Sequence, residues 1–221
     1  MTGGRGEGGA RLTPPPGESP IVVLVRPQMA QNIGTAARAM ANGGLFHLRI
    51  VAPRDGWPQP NAYAAASGAD AIIDAAQVFP DIRSAVADCH RVFGTCPRPR
   101  HVIIPMRDAR AAAEDLRDIN TRGLRVAVLF GPERAGLEAD DLAQCDTLVR
   151  YPLNPQHNSL NLAQAVMILA YEWWMQAERT PPRDIQTHET RPATKGELDR
   201  FLDRLIAELD ASGFLHNPPK R

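Results

Sequence analysis

From residue 20 onward the chain alternates short apolar runs with longer stretches of helical period. Ile21-Val22-Val23-Leu24-Val25 is apolar at every position, the pattern of a strand buried on both faces. Residues 31–42 are Ala-rich and predict a helix, and 48–52 predict a second strand. A short helix is expected over 60–68, a short strand at 72–73, a helix over 77–88 and a strand over 91–93. Residues 108–119 predict a helix, 126–130 another doubly buried strand, 138–143 a short helix and 147–150 a strand. Residues 160–176 predict the longest helix, which carries adjacent Trp173 and Trp174 near its end. One of these indoles is expected in the core and the other at an interface. Strands alternating with helices predict an α/β fold, a mainly parallel sheet with helices on both faces.

The pattern changes at both ends. Residues 1–19 are Gly/Pro-rich, have no apolar stretch and predict a disordered leader, not a secretory signal. Residues 4–9 match GxGxxG, but no strand precedes them and no helix follows, so no nucleotide loop is read there. Residues 178–193 form a polar, Pro-rich linker. Beyond it, Leu198, Phe201, Leu202, Leu205, Ile206 and Leu209 follow helical spacing opposite a charged face. The expected organisation is a leader (1–19), a sheet domain (20–177), a linker (178–193) and a C-terminal helical extension (194–221) whose stripe docks on the sheet domain or on a partner.

Composition narrows the classes. With 43% hydrophobic and 23% charged residues, the chain is ordinarily globular, and no apolar run is long enough to span a bilayer. Three cysteines without CxxC spacing and six scattered histidines argue against a disulfide framework and a metal site. The expectation is a cytoplasmic protein without metal or membrane. Formal net charge is zero, but Arg greatly outnumbers Lys, so an RNA contact would be made by guanidinium forks. Charge turns locally positive over 81–110, where six Arg, Arg98 and Arg100 among them, face three Asp. A phosphate backbone is the natural partner of such a patch, and a solvated surface is the plain alternative.

Functional loops of open α/β sheets lie at the carboxyl ends of the strands. Asn32-Ile33-Gly34-Thr35-Ala36-Ala37-Arg38 follows the first strand. It reads either as helix punctuation, with Asn32 capping, or as a site where Arg38 points back to fork onto a phosphate. Gly131-Pro132-Glu133-Arg134-Ala135-Gly136 follows a buried strand, and Gly131 permits close backbone approach to a ligand. Tyr151 to Ala163 leads from the last strand into the longest helix, with Asn158, Ser159 and Asn161 in excess of what one cap requires. A weaker loop, Gly94-Thr95-Cys96-Pro97-Arg98, follows the strand at 91–93.

In this order and spacing the loops resemble the signature motifs of the SPOUT superfamily of RNA methyltransferases, in its TrmH-like branch of ribose 2′-O-methyltransferases. Residues 94–98 and the tail ending in Gly213-Phe214 resemble the TrmJ group of that branch. The resemblance implies a C-terminal trefoil knot, which periodicity does not show. It implies a homodimer that binds S-adenosyl-L-methionine, released as S-adenosyl-L-homocysteine, in a pocket completed by the second subunit. Carried onto this chain, cofactor contacts fall at Thr95, Cys96, Gly131, Glu133, Gly136, Leu153, Asn158, Ser159 and Leu160. The catalytic cluster falls at Asn32, Arg38, Glu133, Ser159 and Asn161, and RNA contacts at Arg38, Arg98, Arg100 and Arg134. The implied substrate is tRNA, at the pyrimidine ribose of position 32 in the anticodon loop. The alternatives are the same chemistry on rRNA or another tRNA position, and a non-catalytic RNA-binding dimer. Two departures stand out: Cys96-Pro97 replaces the family's Ser-Ala, and His157-Asn158 replaces Tyr-Ser. The family tail also runs on past the region of Asn217-Pro218-Pro219, so weaker RNA binding is expected of a chain ending at Arg221.

Overall fold

The computed structural model describes residues 19–96, 103–177 and 194–216. The leader up to residue 18, Arg98, Arg100, the linker and the last five positions lie outside them. The chain divides into two compact units, Met1–Glu178 and Arg179–Arg221.

The first unit is built on seven strands: β1 (Ile21–Val25), β2 (His47–Val51), β3 (Gln77–Phe79), β4 (Arg91–Thr95), β5 (Met106–Asp108), β6 (Val126–Phe130) and β7 (Thr147–Arg150). They form one sheet in the order β3-β2-β1-β6-β4-β7-β5, and every pairing is parallel. The helices are α1 (Ala30–Asn42), α2 (Pro60–Ala66), α3 (Asp70–Asp74), α4 (Ile82–Ala85), α5 (Ala109–Thr121), α6 (Ala139–Leu142) and α7 (Leu162–Met175).

Two apolar layers hold the sheet, and the central strands feed both. Val22, Leu24, Val126, Val128 and Phe130 enter one layer, shared with residues of α1, α2, α3, α5 and α7. Ile21, Val23, Val25, Ala127 and Leu129 enter the other, with Ile82, Leu137 and Leu142. Period-two alternation therefore explains the unbroken apolar runs: each neighbour serves the opposite layer. Each fully buried Val, Leu or Phe contributes about 1.5–3 kcal/mol. Small residues set the helix packing. A Cβ at Gly34 would meet the Ala62 carbonyl oxygen at 2.0 Å, and one at Gly43 would meet Ala170 Cβ at 2.5 Å.

Several expected elements move. Ile72 and Ile73 lie in helix α3, not a strand, and both are buried. The strand is β3, in the segment expected to begin a helix, and only Ile82–Ala85 remains helical after Pro80. Here Asp81 caps, accepting from the Ser84 N–H at 2.7 Å. The short strand β5 went unpredicted because Met106-Arg107-Asp108 has no apolar alternation; its place comes from pairing with β7. Trp173 is 3% exposed and lies in the core as expected, whereas Trp174 is 44% exposed.

The second unit, taken by itself, contains α8 (Lys195–Ala211) and a 3-10 turn, Phe214–His216. Thr194 and Glu197 form a reciprocal capping box at the start of α8. Leu198, Phe201, Leu202, Leu205 and Ile206 are exposed along one stripe.

At the amino ends of the strands, Arg49 of β2 is 7% exposed and forks onto Asp88. Arg125 reaches the same carboxylate at 2.7 Å. Hydrogen bonding from Arg49 holds the Asp88 carboxyl well below its ordinary value of 3.8. A depressed pKa stabilises the fold above the unfolded value, and that stability is lost as pH falls below it. Asp88→Asn should therefore cost about 1–2 kcal/mol near neutral pH, a figure reduced for the exposure of Asp88. In urea denaturation the wild-type advantage should shrink as the pH drops below the ordinary carboxylate range; an advantage constant with pH would contradict this ion pair.

Candidate functional site

The loops leaving the carboxyl ends of β4, β6 and β7 enclose a cavity of about 510 Å³. Its wall includes Thr95, Cys96, Gly131, Glu133, Gly136, Leu153, Asn158, Ser159 and Leu160, all the expected cofactor positions. Arg134 also lines it, as do Tyr151, the first residue of the loop before the longest helix, and Arg150, for which no motif gave a signal. The only hint of Arg150 in the sequence was a position at the end of a buried strand.

The turn after β6 is closed by glycines. The Gly136 N–H donates to the Pro132 carbonyl at 2.9 Å, with Gly136 in the left-handed region at φ 66°. A Cβ on Gly131 would lie 2.3 Å from both Gly136 C and Leu137 N. The backbone thus doubles back at van der Waals contact, as only glycine permits. The opposite wall begins where β4 ends. Thr95 Oγ1 donates to the Leu129 carbonyl at 3.1 Å, and the Cys96 N–H donates to the Val149 carbonyl at 2.9 Å. Cys96 is buried. Tyr151 donates its hydroxyl to the Ala165 carbonyl at 2.9 Å, and burial raises its pKa, so the phenol stays neutral.

Beside the cavity, Glu133 binds the start of α1. Its carboxylate accepts from the Gln28 N–H at 2.9 Å, the Met29 N–H at 3.3 Å and Asn32 Nδ2 at 2.7 Å. Asn161 Nδ2 then donates to Asn32 Oδ1 at 3.2 Å, while Asn161 Oδ1 caps α7 by accepting from the Ala163 N–H. Asn32, Glu133 and Asn161 therefore form one chain of hydrogen bonds across three loops. Asn32 is not the cap of α1: the N-cap is Met29, whose side chain makes no capping bond. Glu133, 101 residues from Asn32 in sequence, instead holds the two residues that lead into the helix and the Asn32 amide in its first turn.

Arg38 is exposed on α1 and, among the described residues, has no ion pair or hydrogen bond to this cluster. Ser159 lies on the cavity wall, exposed. A second tie braces the same end of the sheet. Arg26, left-handed at φ 46°, forks onto buried Asp141 at 3.0 and 2.5 Å. The three cysteines are free thiols. Among the described residues no group of His, Cys, Asp and Glu is arranged to hold a metal, and no helix is long and apolar enough to cross a membrane.

Fold and cavity define a parallel α/β protein with a ligand cleft at the carboxyl ends of its strands. The SpoU rRNA Methylase family profile matches residues 19–171. A tRNA (cytidine/uridine/adenosine-2′-O-)-methyltransferase TrmJ of Pseudomonas aeruginosa is 38% identical over 203 residues, covering 88% of this chain and 78% of that protein. A tRNA (cytidine/uridine-2′-O-)-methyltransferase TrmJ of Klebsiella pneumoniae is 36% identical over 88% of this chain and 80% of its own. The crystal structure of TrmJ from Z. mobilis superposes with a TM-score of 0.67 and 47% identity, over 90% of this chain and 83% of that one. The chain belongs to the SpoU methylase family.

Gly131→Ala should lower stability by about 2 kcal/mol through overpacking, as read by chemical denaturation. Glu133→Ala leaves two backbone N–H groups without their acceptor. It should cost about 1–2 kcal/mol and speed amide exchange at Gln28 and Met29. Unchanged exchange there would contradict the role of Glu133 as their acceptor.

Proposed function

We propose that this chain is a cytoplasmic, homodimeric methyltransferase that modifies a ribose 2′-OH of tRNA, at the pyrimidine of position 32. The observation that carries the reading is the convergence of three separate loops on one cavity joined to α1 through Glu133 and Asn32. The named activities of relatives covering most of this chain support the substrate class.

The residues present fit an adenosyl cofactor. A cleft of about 510 Å³ is of ligand size, and the glycine turn forms a cradle that a Cβ would fill. Backbone of the Gly131–Gly136 and Leu153–Leu160 loops would hold the nucleoside, with Thr95 and Cys96 at the side. S-adenosyl-L-methionine supplies an electrophilic methyl on a sulfonium and needs no metal. Glu133, Asn32 and Asn161 act as positioning residues, holding the first turn of α1 and the start of α7 against the cavity. Arg38, exposed and unpaired among the described residues, grips the RNA phosphate beside the reacting ribose and orients its hydroxyl. A guanidinium has no acceptor lone pair, so the hydroxyl proton goes to phosphate or solvent. Rate is gained chiefly through orientation. Ser159 adds a hydroxyl on the cavity wall, and Arg134 with the arginines at 98 and 100 extends the contact to RNA.

The domain division, with the sheet domain over 20–177 and a helical extension over 194–221, belongs to the same reading, as does the C-terminal knot. Exposed Tyr171, Trp174 and Met175 on α7 support a homodimer.

Incubation with labelled S-adenosyl-L-methionine and unmodified tRNA transcripts should place label on a pyrimidine 2′-oxygen at position 32. Label at another nucleotide would change the substrate and keep the reaction. Arg38→Ala should reduce transfer roughly 100-fold or more while leaving S-adenosyl-L-homocysteine binding intact. Loss of cofactor binding in that variant would contradict the assigned role.

A further inference from the structure

The charges around the cavity are unevenly employed. Its ionisable lining consists, among the described residues, of Cys96, Glu133, Arg134, Arg150 and Tyr151. Glu133 is occupied by three donors, the Gln28 and Met29 N–H groups just before α1 and the Asn32 amide within it. Tyr151 is a buried, neutral phenol bonded to Ala165. Two guanidiniums are left, both exposed and neither with an ion pair or hydrogen bond among the described residues. An amino-acid carboxylate entering this cleft must exchange its hydration for a fixed donor, and an Arg fork matches it in charge and shape.

The register of the sheet decides between the two. Val149 of β7 stands opposite Thr95, and its carbonyl receives the Cys96 N–H just as β4 ends. Arg150 is the next residue, past the end of β4, exposed and lining the cavity. Val149 belongs to one apolar layer and Leu148 to the other, the layer that holds Cys96 and Leu137. Alternation puts Arg150 on the face of Leu148, the side on which the glycine turn closes the cavity. Asp108, its neighbour on β5, is already the cap of α5, accepting from the Ala111 N–H at 2.8 Å. Arg134 instead sits in the turn itself, next to Glu133, with no strand to fix it.

We infer that Arg150 recognises the carboxylate of the cofactor's amino-acid end, with Arg134 left to RNA; this rests on the adenosyl-cofactor reading proposed above. Arg150 thus selects a complete aminocarboxylate cofactor over an adenosine thioether that lacks the acid.

The test is calorimetric and needs no turnover. S-adenosyl-L-homocysteine is compared with S-adenosyl-3-thiopropylamine, which differs only in lacking the carboxylate. Arg150→Ala should weaken the first by about tenfold or more and leave the second nearly unchanged. Arg150→Lys, a point charge without the fork, should fall between. Equal weakening of both ligands, or of neither, would overturn the assignment. So would a carboxylate-selective loss in Arg134→Ala. Failure of the wild-type chain to bind either ligand would instead remove the cofactor reading, and the inference with it. Unliganded melting curves of the variants should match the wild type, because Arg150 is exposed and makes no internal bond among the described residues.

Discussion

One carboxylate joins the two halves of the site. Helix α1 starts at Ala30 behind an N-cap, Met29, that offers no side-chain acceptor, so the entry to the helix is held from elsewhere. Glu133 meets two backbone donors and the Asn32 amide, and its negative charge lies at the end of the helix where the macrodipole favours it. Because β1 and β6 are neighbours, the loops that follow them emerge side by side, and the reach is short. The result ties the cavity wall to the helix carrying Arg38. Asn161 extends the tie to α7, which it also caps.

Arg26 provides the second constraint. It leaves β1 in the left-handed region, a conformation a non-glycine residue adopts at a cost of about 1 kcal/mol or more. Its N–H is nevertheless bonded to the Val51 carbonyl, and its guanidinium forks onto Asp141. Asp141 is buried and also receives the Glu138 N–H at 2.8 Å, so its carboxylate is well satisfied. Both loops that leave the β1–β6 pair are therefore fixed by charge-assisted bonds, one to each side. Arg38 is mounted on a helix whose first turn is held, which is what a group that orients a substrate by position requires.

Local signals in the sequence were strong where one physical rule acted alone. Continuous apolar runs identified β1 and β6, because two-sided burial leaves no polar position. Helical spacing found α7 and α8. The reading went astray where two rules competed. Ile72-Ile73 is too short a run for its period to distinguish strand from helix, and packing against the α1–α2 layer made it helical. β5 is a strand only because β7 offers it an edge. At the site, loop composition picked out the cavity lining, but not who bonds to whom. Asn32 was a plausible cap by residue type, yet the N-cap is Met29 and the Asn32 amide is bound by an acid 101 positions away. Arg150 was hidden because an arginine ending a strand is ordinary in sequence and becomes unusual only beside a cavity.

A second cleft, of about 380 Å³, lies at the amino ends of the strands and shows why volume alone does not identify a site. It also contains two arginines, Arg49 and Arg125, but both close on Asp88, and Arg49 donates further to the Ala85 carbonyl. Its cations meet a carboxylate of the same chain, so a ligand there would have to displace bonds already made. The carboxyl-end cavity has the opposite character. Its one acid is turned to the start of α1, its phenol to a carbonyl, and its two arginines are exposed and without an internal counter-charge among the described residues. Polar groups left unpaired at a rigid strand end, next to polar groups fully paired in support of the loops, are the arrangement expected of a surface prepared for a charged ligand. The cleft at the amino ends has its cations paired within the chain, the one at the carboxyl ends leaves two available among the described residues, and that difference marks the cleft that suits a charged ligand.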